Sequence, residues 1–279
     1  SAGGARTRAK RRLEKLLHGF ADEIAYTKVL DPACGSGNFL YVALRELLDL
    51  EKDVIRFATD LGLPMFFPTV KPEQLYGIEI NEYAHELAQA TIWIGYIQWL
   101  RENGFGQPSE PILKALDNIH EMDAILAFDE DGNPVEPEWP EADVAIGNPP
   151  FLGYFRLRAE LGDEYVVPLF ALYKNRVSGA GDLCCYWFEI ARALIENGKL
   201  KRAGLLATQG IRGGASRKVL DRIRESGEIF WAQSDREWVL EGAAVHVSMI
   251  GFDNATECSR ELDGLAVAAI NSDLSSSAD

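Results

Sequence analysis

The chain has 279 residues, 47% of them hydrophobic, which is enough for one large core and excludes global disorder. Its formal net charge of −15 argues against a domain that grips nucleic acid unaided, since such domains are basic. No stretch reaches the apolar length of a membrane span and the first residues lack the apolar centre of a signal peptide, so a soluble, intracellular (cytoplasmic) protein is expected.

In chain order, Ala5 to Phe20 reads as a basic amphipathic helix, with Leu13, Leu16, Leu17 and Phe20 on one face. "TKVLD" is a short apolar strand ending at Asp31, and "PACGSG" is a glycine turn opening the helical pattern "NFLYVALRELLDLEKDVI". A looser stretch to Pro72, including "LPMFFPTVKP", reads as an insertion. "QLYGIEI" is a second strand, Glu82 to Leu100 a second helix, and "DNIHEMDAI" holds a third strand. "DEDGNPVEPEWPE" is an acidic, proline-rich loop before a fourth strand, "ADVAI". Leu152 to Gly181 reads as irregular. "DLCCYWFEIARALIENG" is a helix that Asp182 caps and Gly198 stops, and Trp187 and Phe188 belong to its core face. "RAGLLAT", "EIFWAQS" and "AAVHVSMIGFD" are the fifth, sixth and seventh strands, with the helix "ASRKVLDRIRES" after the fifth. His246, within the last strand, reads as structural, and the sequence after Ser259 as a frayed polar tail.

Strands alternating with helices predict a doubly wound, mostly parallel seven-stranded α/β sheet covered on both faces. No helical pattern separates the sixth and seventh strands, so one of them runs antiparallel. Ligands bind such sheets at the carboxyl ends of the strands, where the unusual turns fall. The four cysteines, Cys34, Cys184, Cys185 and Cys258, show no metal-ligand spacing and are expected to be reduced and mostly buried.

Two turns carry the chemistry. In "DPACGSGNF", Gly35 and Gly37 let the backbone turn sharply and approach a ligand. The third glycine of a dinucleotide fingerprint is replaced by Leu40, and no Walker lysine follows, so pyrophosphate is not the ligand. The glycines alone suit a plain strand-to-helix turn equally well. Glu79, closing the second strand, has the geometry to accept two hydrogen bonds from ribose hydroxyls, and Asp123 to accept from an adenine amine. In "GNPPF", Asn148 offers an amide oxygen, Pro149 and Pro150 stiffen the backbone and Phe151 offers a flat apolar face.

The order "DPACGSGNF", "YGIEIN", "MDA", "GNPPF" resembles the adenine-N6 DNA methyltransferases of class I, which have a Rossmann-like sheet. Downstream, "LFALYKNRVSGAGDLCCYWFEIARALIENGK" and "FWAQSDREWVLEGAAVHVSMIGFD" are similar to the methyltransferase core of MmeI-like fused restriction-modification enzymes. The resemblance implies S-adenosyl-L-methionine as cofactor, held by Asp31, Pro32, Ala33, Cys34, Gly35, Gly37, Asn38, Phe39, Glu79, Ile80, Asp123 and Ala124. It implies catalysis by Asn148, Pro149, Pro150 and Phe151, with no metal, on double-stranded DNA whose target adenine flips out of the stack. "GIRGGASRK" offers Arg212, Arg217 and Lys218 to phosphates, and Trp238 is a candidate second face of the base pocket. It further implies an N-terminal helical segment (1–22), a catalytic domain (23–256) and a tail (257–279) leading to a target-recognition domain outside the chain, with a nuclease preceding the core in the full-length protein. Two alternatives stay open: an N-methyltransferase of RNA or protein glutamine using the same turn, and a module that binds the cofactor without catalysis.

Overall fold

The computed structural model describes residues 2–64, 67–106, 116–240 and 243–276, with side chains from residue 7 onward and not at 239, 240, 243 and 244. Part of "LPMFFPTVKP" therefore lies outside the described residues. Seven helices are described: α1 (Ala2–Tyr26), α2 (Asn38–Asp60), α3 (Glu82–Glu102), α4 (Tyr154–Leu161), α5 (Asp163–Leu172), α6 (Cys185–Glu196) and α7 (Arg217–Ser226). The strands are β1 (Val29–Asp31), β2 (Leu75–Glu79), β3 (Ile119–Glu121), β4 (Ala127–Phe128), β5 (Pro134–Val135), β6 (Val144–Gly147), β7 (Arg202–Thr208), β8 (Glu228–Leu240), β9 (Ala243–Asp253), β10 (Glu261–Leu262) and β11 (Leu265–Ala266).

Nine strands form one sheet in the order β11-β10-β8-β9-β7-β6-β1-β2-β3. The run from β3 to β7 is parallel, and β9 lies antiparallel between β7 and β8. Seven of the nine, β1, β2, β3, β6, β7, β8 and β9, are the strands expected from the sequence, in a doubly wound arrangement. Alternate residues serve opposite faces. Val29, Leu75 and Ile119 pack with α1, α2 and α3, whereas Leu30, Ile78 and Ala145 pack with α6 and α7. Burial on both faces accounts for the near-continuous apolar strands.

Three expectations need correction. The sheet has nine strands rather than seven, because the supposedly frayed tail folds. β10 pairs parallel with β8, β11 turns back antiparallel, and Leu262, Ile270 and Leu274 are buried. Apolar side chains spaced through a polar segment anchor it to the sheet's edge. The stretch after the NPPF turn is not irregular: it forms α4 and α5, which anchor through Leu157, Val166 and Leu169 despite Pro168 inside α5. The acidic proline-rich loop supplies β5, which pairs antiparallel with β4 just before the loop, and a buried Trp139 whose indole N–H donates to the Ala124 carbonyl at 2.8 Å.

Of the cysteines, Cys34, Cys184 and Cys185 are buried and Cys258 is exposed. Phe188 is core, stacked on Phe252 at 5.9 Å. His246 is exposed rather than enclosed. It bonds Asp235 across the β8–β9 hairpin at 2.5 Å, and that carboxylate holds the imidazole pKa above its ordinary value. Among the described residues no helix is long and apolar enough to cross a membrane.

Candidate active site

The turns after β1, β2 and β6 converge at the carboxyl edge of the sheet because these strands are parallel neighbours. Between them and α4–α6 lies a cavity of about 810 Å³. Of the residues singled out from the sequence, Pro32, Ala33, Glu79, Ile80, Asp123, Ala124, Asn148, Pro150 and Phe151 line it. Asp31, Cys34, Gly35, Gly37, Asn38, Phe39 and Pro149 do not. Asp31, Cys34 and Pro149 are buried beneath the surface, and Asn38 is exposed at the start of α2.

The glycine turn is held from two sides. Gly35 N–H donates to Glu79 Oε2 at 2.8 Å, and Asn81 N–H donates to Glu79 Oε1 at 2.8 Å. Glu79 thus locks the turn to the end of β2, while each of its oxygens keeps a free lone pair. Gly37 sits at φ +82°, where a Cβ would also approach Ala88 to 3.1 Å, so the turn and the close packing of α2 on α3 both require glycine. On the far side, Trp187 Nε1–H donates to the Pro32 carbonyl at 2.8 Å and its ring lines the cavity. Trp187 was read from the sequence as plain core; its bond spans 155 residues, and no local signal points to it.

Asp31 is buried, and its Oδ1 accepts from Ala33 N–H at 3.0 Å. Burial pushes its pKa up to about 7; the Ala33 bond opposes this and the Glu79 charge adds to it. Among the described residues no basic side chain pairs with it. Gly147 is the reason β6 can close on it: a Cβ there would stand 2.6 Å from Asp31 Oδ1.

Asp123 is already engaged. Its Oδ1 accepts from Ile125 and Leu126 N–H at 2.8 and 3.1 Å, and its Oδ2 accepts from Tyr165 O–H at 2.7 Å. One Oδ2 lone pair remains unused, and the residue lines the cavity. Burial and the Asp123 charge hold the Tyr165 phenol well above its usual range. Ile80 is 66% exposed beside these acids, an apolar side chain with no protein covering it.

Asn148 is the odd polar group. Its Oδ1 is buried and has no hydrogen-bond partner. Such an orphaned acceptor costs on the order of 1–3 kcal/mol and calls for a reason. Phe151 and Leu152 pack against the core on the side of α6. Arg156 and Glu160 of α4 pair at 2.8 Å on the rim. Of the three basic residues expected to face DNA, Arg212 donates to the Asp273 carbonyl at 3.1 Å, leaving Arg217 and Lys218 exposed at the start of α7. Trp238 is half-buried on β8, opposite Val245, and does not line the cavity.

A second groove, of about 730 Å³, lies at the opposite edge of the sheet, around Lys28, Trp139, Asp143 and Lys201. None of the motif residues reaches it.

The family model described as "MmeI, DNA-methyltransferase domain" matches residues 6–262. DNA methyltransferase A of Bacillus subtilis (strain 168) is 29% identical over 257 residues, covering 86% of this chain and 27% of that protein. The type IIL restriction-modification enzyme MmeI, solved in complex with DNA, superposes with a TM-score of 0.76 at 24% identity, over 98% of this chain and 38% of that one. DrdV in its DNA complex gives 0.52 at 14% identity, over 84% and 24%. The chain thus spans between about a quarter and two fifths of the length of these relatives. It belongs to the MmeI DNA-methyltransferase domain family.

Proposed function

We propose that this chain is the methyl-transfer core of a restriction-modification enzyme, moving a methyl group from S-adenosylmethionine to N6 of an adenine flipped out of duplex DNA. The observation that carries the reading is the buried, unpartnered Asn148 Oδ1 in the same cavity as Glu79, Ile80 and Asp123. An exocyclic amine entering the cavity supplies the missing donor.

The donor set fits the cofactor. The free lone pairs of Glu79 suit a ribose diol, and the remaining Asp123 Oδ2 lone pair suits an adenine amine. Exposed Ile80 gives a flat base an apolar surface. Asp31, buried without a cation, favours a ligand that brings an ammonium group. When bound, S-adenosylmethionine supplies an electrophilic methyl group on a positively charged sulfur.

The chain's own residues then act on the acceptor. The adenine amine is a poor nucleophile because its lone pair is delocalised into the ring. Asn148 Oδ1 and the Pro149 carbonyl accept its two N–H bonds, which localises that pair on nitrogen. The prolines keep competing N–H groups out of the turn. Phe151 stacks on the base, a contact worth about 1–3 kcal/mol in comparable cases. Orientation and fixed dipoles carry the step. A stacked base cannot reach such a pocket, so the target must leave the duplex. Arg217 and Lys218 are assigned to phosphates. With a net charge of −15, sequence-specific grip is assigned to another region of the full-length protein or to a partner.

The test is to express the complete gene product in cells lacking adenine methylation and analyse nucleosides by mass spectrometry. N6-methyladenine in DNA is expected. Methyl groups found only in RNA or on protein glutamine would overturn the reading.

A further inference from the structure

The turn from Asn148 to Phe151 is fixed upstream by the sheet, since β6 pairs with β1 at Ala145 and with β7 at Gly147. Downstream no strand holds it before α4 begins at Tyr154. The fixing comes from a segment 30 residues later. Leu152 N–H donates to Asp182 Oδ1 at 3.2 Å, and Leu183 N–H donates to the Leu152 carbonyl at 3.0 Å. The same Oδ1 accepts from Cys184 N–H at 3.2 Å, at the entry to α6. Asp182 N–H in turn donates to Ser216 Oγ at 3.1 Å, just before α7. Gly181 has no side chain to obstruct this approach; a Cβ there would stand 3.1 Å from the Ser178 carbonyl oxygen.

Asp182 was expected only to cap a helix. It sits two residues before the α6 N-cap, Cys184, whose N–H it accepts, and the same carboxylate also reaches back to the substrate turn. It does not line the cavity, whereas Leu152, Leu183 and Asn148 do. Of the two bonds that hold Leu152, one is backbone to backbone and survives any substitution. The other depends entirely on the Asp182 side chain.

We propose that Asp182 is a positioning residue: through Leu152 it sets the placement of Phe151 and Asn148 against the substrate base, without touching either ligand. The inference rests on the methyl-transfer reading above and deepens it. The loss of one tether leaves the turn free to drift, and a displacement of about 1 Å from productive geometry costs on the order of 100-fold in rate. The cofactor side of the cavity is built from β1, β2 and the glycine turn, to which Asp182 makes no hydrogen bond of its own.

The test compares Asp182→Ala with Asp182→Asn in the complete gene product. The alanine variant is expected to lose about 10–100-fold in kcat, while affinity for S-adenosylhomocysteine stays within about twofold and the melting temperature within a few degrees. The asparagine variant keeps an acceptor Oδ1 and is expected to recover kcat to within about threefold. Hydrogen exchange at the Leu152 amide should rise in the alanine variant alone. Unchanged kcat in Asp182→Ala, unchanged Leu152 exchange, or a kcat loss matched by equal losses of cofactor affinity and melting temperature would each overturn the proposal. If the unsubstituted protein methylates no adenine, it is the functional reading that fails, and Leu152 exchange alone then decides whether the clasp exists.

Discussion

Two of the buried acids in this molecule, Glu189 and Asp31, are treated in opposite ways. Between α6 and α7, Glu189 is fully buried and receives Arg192 at 3.0 Å and Arg222 at 2.9 Å. These arginines hold its pKa below the ordinary value against the cost of burial. At the end of β1, Asp31 is almost as buried and receives one backbone N–H. The Asn148 side-chain oxygen, in the turn just after β6, receives nothing. Burial is therefore not what separates structure from function here; pairing is. Where charges are satisfied within the chain, the region is scaffold. At the cavity, the buried and unmatched oxygen of Asn148 stands where a ligand can supply the donor.

The comparison can be broken at either end. Replacing Glu189 with alanine leaves two arginines facing a void, and breaking a buried pair costs about 3–5 kcal/mol. Chemical denaturation should record that loss, with cofactor affinity of the surviving folded fraction unchanged. Asn148→Ala should do the reverse: turnover falls by about 10²–10³-fold, the range for removing one group aimed at the reacting centre. Affinity for S-adenosylhomocysteine and the melting temperature should stay close to those of the unsubstituted protein. If Asn148→Ala melts early and turns over normally, the division between scaffold and site is wrong.

Asp31 sharpens the comparison through pH. Its folded pKa, about 7, stands above the unfolded value of 3.8, so the folded state binds the extra proton between them. Stability from this group is therefore full below about pH 4 and declines as pH rises to about 7. Asp31→Asn, which lacks the charge, should match the unsubstituted melting temperature near pH 4 and exceed it by roughly 10 °C at pH 8. Cofactor affinity should fall in that variant. In the unsubstituted protein, binding of a cationic ligand should release a proton below pH 7, visible as a buffer-dependent binding enthalpy. The smallest effect is expected from Tyr165→Phe. It removes one hydrogen bond to Asp123 and should weaken cofactor binding about fivefold, the worth of a single bond.

What the sequence made legible follows from where its information lies. The glycine turn and the NPPF turn are contiguous, and each residue type answers a local backbone or acceptor need, so both could be read directly. Strands β1, β2, β6 and β7 were legible because both faces are covered and the runs are apolar. Trp187 and Asp182 were not legible as site-shaping residues, since their bonds to Pro32 and Leu152 arise only from packing α6 across the sheet. α4 and α5 were masked by Gly153, Gly162 and Pro168, residues that signal breaks but here stand at caps and inside a short helix. β10 and β11 are two residues each, below the length at which alternation can be recognised.

The central claim is that the unpartnered amide oxygen of Asn148 awaits an adenine amine. A crystal structure of this chain with S-adenosylhomocysteine and a flipped adenine, or adenosine in its place, tests it most directly. The account predicts the exocyclic nitrogen about 3 Å from Asn148 Oδ1, with the nucleoside thioether against Glu79 and Ile80 in the same cavity. An Asn148 oxygen still without a partner, or a thioether seated in the groove around Lys28 and Trp139 at the other edge of the sheet, would contradict it.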